Sequence, residues 1–157
     1  MGGGLFTRGT FTMEGGSISG CTAEKKGNGV GLTLMGGDNP IFEISGDARV
    51  APNNDVYVGS YCQKIKIVGD LTATTPVATI TPGAYTGSPT VLVGESAKIK
   101  DNYLKFRLSD RDYSIKDDGT IEKGFTVFDN DDLDYVITKI ASLESGSSQK
   151  VIITKNE

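Results

Sequence analysis

The chain contains no histidine. That removes the commonest general base and the commonest metal ligand from any chemistry it could carry out. It has no apolar run approaching the roughly eighteen residues that a membrane-crossing helix needs, which excludes a helical span. Cysteine is scarce: Cys21 and Cys62 stand alone, with no C-x-x-C, so there is no disulfide framework. Two isolated thiols are expected, with a single bridge as the alternative. The opening residues, Met1-Gly2-Gly3-Gly4-Leu5-Phe6-Thr7, lack the basic and apolar regions of a signal peptide. They fall at once into the pattern described below, so the sequence is expected to begin inside a longer polypeptide. Charge of one sign is also lacking: 16 basic against 20 acidic residues give a net −4, no field to attract nucleic acid. A length of 157 residues allows one domain, or one domain with a small appendage.

Glycine is what the chain has in excess, 21 residues of it, roughly twice the usual share. Much of it belongs to an internal repeat. Gly2-Gly3-Gly4-Leu5-Phe6 recurs as Asn28-Gly29-Val30-Gly31-Leu32 and as Asn54-Asp55-Val56-Tyr57-Val58, an offset of 26 residues each time. A second element follows in each unit: Phe11-Thr12-Met13-Glu14-Gly15, Phe42-Glu43-Ile44-Ser45-Gly46 and Ile65-Lys66-Ile67-Val68-Gly69. A third, weaker element holds Ile18, Val50 and Leu71.

Within the second elements apolar and polar residues alternate, the period-two signature of a strand with one buried face. Three short strands in a unit of about 25 residues make one turn of a parallel β-helix. Stacked turns put Phe11, Phe42 and Ile65 in one column and Met13, Ile44 and Ile67 in the next. Outward residues stack too, so Glu43 should lie about 4.8 Å from Lys66. Gly15, Gly46 and Gly69 fall where the coil must bend sharply. The unequal connections, residues 7–10, 33–41 and 59–64, read as loops that leave the stack. The alternative is a glycine-rich β-sandwich.

These residues resemble a known group. Gly2-Gly3-Gly4-Leu5-Phe6 followed by Gly9-Thr10-Phe11-Thr12-Met13-Glu14-Gly15-Gly16-Ser17-Ile18 is similar to the repeats of bacterial cell-surface proteins with a right-handed parallel β-helix, both pectate-lyase-like repeat proteins and polymorphic outer-membrane adhesins. The Gly-Gly-aliphatic signature of those adhesins is met at Gly3-Gly4-Leu5. Their Phe-x-x-Asn signature is not: Glu14 follows Phe11 and Ser45 follows Phe42 at that distance.

Three regions are expected: coils over 2–75, final strands and a hairpin cap over 76–123, and a strand–helix–strand unit over 124–157. In the second region Pro76 and Pro82 bound a short strand, and because proline cannot donate to a ladder they are expected at edges or strand ends. Leu104, Phe106 and Leu108 alternate as a half-buried strand. Lys116-Asp117-Asp118-Gly119 signals a hairpin between Tyr113-Ser114-Ile115 and Thr120-Ile121-Glu122, and antiparallel pairing is expected here. In the third region a cap at Asp129-Asn130-Asp131-Asp132 precedes Leu133, Val136, Ile137, Ile140 and Leu143, one amphipathic helix stopped by Ser145-Gly146. Val151-Ile152-Ile153-Thr154 forms a last strand. The unit either covers the open end of the coils or begins a following domain.

Candidate binding residues are Tyr57 and Tyr61, whose flat faces suit sugars, and Lys64 and Lys66. These two lysines form a basic region with Lys98, Lys100, Lys105 and Arg107. A calcium loop at residues 129–132 is disfavoured against helix capping, because the later Gly and Glu of an EF-hand are missing. Asp110, Asp112, Asp117 and Asp118 read as turn residues. An outward threonine array of the ice-binding kind is broken by Glu43 and Lys66. No metal, cofactor or catalytic set is predicted.

The resemblance and the repeat together imply a non-catalytic extracellular module of a larger bacterial surface protein, a rigid spacer or an adhesive, glycan-binding segment. A glycan or host surface is the expected partner, without nucleic acid or direct membrane insertion. The rival is a polysaccharide lyase or glycoside hydrolase of β-helix type, for which only Asp47 and Asp70 align on neighbouring coils. A third class is a structural protein that self-associates end to end through the uncapped first coil.

Overall fold

A computed structural model describes residues 3–24, 26–32, 39–59, 64–143 and 146–154. In chain order the elements are β1 (Leu5–Thr7), β2 (Thr10–Met13), β3 (Ser17–Ile18), β4 (Val30–Leu32), β5 (Ile41–Gly46), β6 (Arg49–Val50), β7 (Asp55–Val58), β8 (Lys64–Leu71), β9 (Ala78–Pro82) and β10 (Leu92–Gly94). There follow α1 (Ser96–Asn102), a single 3-10 turn (Tyr103–Lys105), β11 (Phe106–Leu108), β12 (Tyr113–Ile115), β13 (Ile121–Lys123), β14 (Phe125–Val127), α2 (Asn130–Ala141) and β15 (Val151–Ile153). Among the described residues no helix is long and apolar enough to cross a membrane.

Two parallel sheets carry the fold, one ordered β1-β4-β7-β9-β11 and the other β10-β8-β5-β2. A third wall begins where β3 meets β6 in parallel, Ile18 beside Val50. It continues as the Val50 N–H donates to Val77 O and the Val77 N–H to Lys105 O. The chain visits the larger sheet, the smaller sheet and the third wall in turn. This is an all-β fold built on parallel pairing, unlike the antiparallel pairing of a sandwich.

The alternation of the second elements places the core. Phe11 pairs with Phe42 and Phe42 with Ile65, and Leu92 adds a fourth member to that column. Met13, Ile44 and Ile67 form the next. Phe42, Ile44, Ile65 and Leu92 are fully buried. The Phe11 and Phe42 rings stack with centroids 5.8 Å apart and planes inclined by 18°. On the outward face Lys66 Nζ reaches Glu43 Oε1 at 2.8 Å, and Thr12 Oγ1 donates to Glu43 Oε2 at 2.9 Å. The Lys66 ammonium, then the Thr12 hydroxyl, hold the Glu43 carboxyl below the usual range.

Several expectations need correction. The first offset is 25, not 26: Leu5 pairs with Val30, and only then does Val30 pair with Val56 at 26. A slip of one residue would have turned Leu5 outward. In the third wall the partner beyond Val50 is Val77, whereas Leu71 ends β8 opposite Gly46. Of the three bend glycines only Gly46 is left-handed, at φ +62°, and a side chain there would meet Glu14 O. The register of β5 on β8 shifts at that residue, which is where the bend lies.

Residues 76–123 do not turn antiparallel as a whole. β9, β10 and β11 extend both sheets in parallel. Antiparallel pairing is confined to the β12–β13 hairpin and a bridge between Thr90 and Thr120. Of the two places expected for its prolines, β9 uses the strand ends: the strand lies inside its sheet, between β7 and β11, with Pro76 before its start and Pro82 as its last residue. Pro82 is tolerated there because it closes the strand, and the next N–H, that of Gly83, donates to Val58 O. Leu104 sits in the 3-10 turn before β11 rather than in a strand. Helix α1 was not expected; its two turns bury only Ile99 and Asn102, too little to show a period. Helix α2 ends at Ala141, before Leu143. Cys21 is a free thiol. Cys62, Tyr61, Ser145 and most of the two longer connections lie outside the described residues.

Candidate functional site

The local sequence that builds the site is Phe128-Asp129-Asn130-Asp131-Asp132. Asp129 is extended, and its Oδ1 accepts the Asp132 N–H at 2.9 Å, capping α2 as expected. Asp132 folds back: its Oδ2 accepts the Phe128 N–H at 3.1 Å and Arg107 Nη2 at 2.6 Å. The same Nη2 reaches Asp129 Oδ2 at 2.6 Å, and Arg111 Nε lies 3.4 Å from Asp132 Oδ1. The Arg107 guanidinium also sits over the Phe128 ring at 5.1 Å. One turn on, the Tyr135 hydroxyl donates to Asp112 Oδ1 at 2.6 Å and Lys139 Nζ to Asp112 Oδ2 at 3.0 Å. The acidic cluster is thus consumed in capping α2 and clamping it to β11 and to the turn between β11 and β12. Asp112 has left its expected turn role, while Asp110 and Asp118 keep theirs by accepting the N–H groups of Asp112 and Thr120.

Docking α2 and β14 against the sheets leaves a cleft of about 870 Å³ between four chain segments. They are residues 71–76, 101–105, 128–129 and 153–154. Its apolar part is Leu71, Ala73, Pro76, Leu104, the buried Phe128 and Ile153. Its polar part is the hydroxyls of Thr72, Thr74 and Thr75 with the carboxylates of Asp101 and Asp129. Lys105 also lines it, with its ammonium donated to Leu71 O. Apolar patches beside hydroxyls and carboxylates match the chemistry of a sugar, which has a carbon-lined ring face and a hydroxyl edge.

Of the residues singled out in the sequence, Tyr57 and the lysine pair lie on different sheets, and Tyr61 lies outside the described residues. Tyr57 lies on β7 of the larger sheet, half-buried, with Lys26 Nζ over its ring at 5.5 Å. Lys64 and Lys66 lie on β8 of the smaller sheet, bound to Thr90 O and to Glu43. Lys98 is held by Asp70 at 2.8 Å. Asp70 is thereby tied to α1, and its carboxyl sits below the usual range because of Lys98. Asp47, the other aligned carboxylate, is exposed in the turn after β5. Among the described residues no three metal-ligating side chains converge. The cleft itself was not legible, although the threonine run at 72–75 was the one signal pointing to it.

Two carboxyls in the clamp lie below their ordinary range. For Asp112 the Tyr135 hydroxyl acts first, against burial, with Lys139 adding to it. For Asp129 burial pushes upward, but Arg107 and the Asp132 N–H outweigh it. Folded values below unfolded ones mean that this stabilisation is full above the unfolded carboxylate pKa, about 4. It is lost as pH falls through the folded values. NMR amide shifts of residues 125–143 followed against pH should move below about pH 4, while those of β4 and β9, which carry no carboxylate, hold. Simultaneous movement of both sets would show that the clamp is not a separate acid-sensitive element.

Comparison with known proteins finds no family model, curated protein or solved structure that matches the chain.

Proposed function

We propose that the chain winds as a right-handed parallel β-helix and serves as a rigid, non-catalytic extracellular module of a larger bacterial surface protein, with a glycan of a host or cell surface as its ligand. The observation that carries this reading is the four-membered column Phe11, Phe42, Ile65 and Leu92, in register across two turns of the repeat and beyond it. Side chains stacked on like side chains give a stiff rod, and a rod is what a spacer or an adhesive stalk requires. The glycan would enter the cleft, with its hydroxyls on Asp101 and the threonines and its ring face toward Leu104.

Immobilised glycan and host-matrix panels test the adhesive part. Retention on at least one glycan is expected, weakened about tenfold or more by Asp101→Ala. Binding that Asp101→Ala leaves intact would move the site elsewhere; failure on every surface would leave the spacer role alone.

A second reading, end-to-end association through the first coil, has its own support. β1, β2 and β3 are each an edge of their sheet, and Leu5, Phe11, Met13 and Ile18 beside them are only partly buried. Open edges with an apolar interior are ready to accept another rung.

A further inference from the structure

Among the described residues the exposed large aliphatic side chains, Val68 apart, are concentrated in one place. Leu133, Ile137, Ile140, Leu143, Val151 and Ile153 are all substantially exposed, Ile153 at 71% and Ile137 at 56%. All six belong to the β14–α2–β15 unit or the turn after α2. The apolar stripe that the sequence offers as the buried face of α2 is therefore mostly uncovered: only Val136 of that stripe is buried.

The geometry explains why. α2 packs on β14, with Val136 against Phe125 and Val127. Its docked flank carries Tyr135 and Lys139, which turn toward Asp112 on the body of the protein. At 100° per residue, Leu133, Ile137 and Ile140 lie on the other flank, away from the body. β12 lies beside β14 on the body side, so the free flank of α2 overhangs the β15 side. β15 pairs with β14 in parallel, Val151 beside Phe125 and Ile153 beside Val127. Paired residues in a ladder point to the same face, so Val151 and Ile153 rise on the α2 side as the floor of this open shelf.

Among the described residues no strand pairs with the outer edge of β15. The Phe125 N–H donates to Lys150 O, and the Thr154 N–H donates to Val127 O. Alternation along the strand then turns the N–H and C=O of Val151 and Ile153 outward, away from β14. These four groups are self-complementary. An identical strand laid antiparallel, with a two-fold axis at Ile152, sets Val151 opposite Ile153 of its copy and makes two hydrogen-bonded pairs. Lys150 then faces Thr154 rather than another Lys150, so no like charges meet.

We propose that a second copy of this chain docks here, β15 against β15, to form a continuous four-stranded sheet with both α2 helices on one face. The two helices run antiparallel, and their free flanks face each other across a trough floored by Val151 and Ile153 of both chains. The exposed aliphatic side chains present on the order of 500 Å² per copy, and the edge strands and rim bring the total past the ~1,200 Å² at which specific interfaces begin. The surface differs from the first coil, which lies at the opposite end of both sheets.

Sedimentation equilibrium of the full chain across a concentration series tests this, with two variants. Ile137→Glu charges the helix flank. Val151→Pro removes one outward N–H and no bond within the β14–β15 pair, because proline is tolerated on the open side of an edge strand. The wild type should be a dimer at micromolar concentration. Each variant should raise the dissociation constant at least about tenfold while the far-UV circular dichroism stays that of the wild type. A chain that remains monomeric up to about millimolar concentration, weaker than specific association, overturns the proposal. So does a dimer that neither variant weakens; if Phe11→Glu weakens that dimer instead, association runs through the first coil.

Discussion

Phe42→Ala is expected to lower the unfolding free energy by about 3–5 kcal/mol. Phe42 is fully buried and held between two neighbours in its column, the Phe11 ring on one side and Ile65 on the other. Parallel ladders fix both neighbours, so the walls cannot close on the space left by the ring. The loss then includes the cavity as well as the transfer of the ring from water. Against a total stability of about 5–15 kcal/mol, this is enough to populate the unfolded state visibly. Phe11→Ala supplies the contrast. Phe11 stands on β2 at the edge of its sheet, partly exposed, and its removal leaves space open to water; about 1–2 kcal/mol is expected. The chain has no tryptophan, so urea unfolding is followed by circular dichroism. Equal costs at the two positions would mean that the column is not the centre of the core.

Asp132→Ala is the second large effect, and it acts on a different part of the molecule. The Asp132 side chain is only 3% exposed and answers three donors: Arg107, Arg111 and the Phe128 N–H. Alanine leaves the guanidinium of Arg107, itself 18% exposed, with half its charge partners and leaves a buried N–H without an acceptor. Removing one partner of a buried pair costs about 3–5 kcal/mol; the lower end applies here, because Asp129 still holds Arg107. The damage should be local. Hydrogen exchange should accelerate in residues 128–141 and remain slow in β5, β7 and β8. Asp132→Asn keeps an acceptor for the Phe128 N–H, so it should recover part of the loss. An alanine variant that exchanges uniformly faster would show that α2 and the sheets unfold as one unit.

The columns were legible because alternation is a strong signal wherever one face is buried: Phe11, Phe42 and Ile65 are in register on their apolar period alone. Register failed where glycine made the pattern degenerate. Gly2-Gly3-Gly4 aligns with Asn28-Gly29 in two ways, and packing of Leu5 on Val30 decides between them. Leu71 and Val77 are both apolar and both follow the second strand, so only the path of the chain separates them. The most instructive failure is α2. Its spacing of three and four is real, yet of the apolar stripe only Val136 docks, and the flank that meets the body is the polar one, with Asp132, Tyr135 and Lys139 satisfied by groups more than twenty residues away in sequence. Periodicity locates an apolar stripe but not what lies across from it. The cleft was hidden for a related reason: its walls come from four segments that no local pattern connects.

The parallel register has a further meaning for how such a molecule can vary in size. Wound as proposed, the chain puts Val30 and Val56 one circuit and 26 residues apart, and each inner strand of the two parallel sheets lies between strands of the adjoining circuits. Loss or duplication of one such segment would leave the stacking surfaces on either side equivalent, and the two ends would move together or apart by one strand spacing, about 4.8 Å. Reach would then change in even increments at no cost to either end, so relatives of different length should differ by whole circuits rather than by single residues.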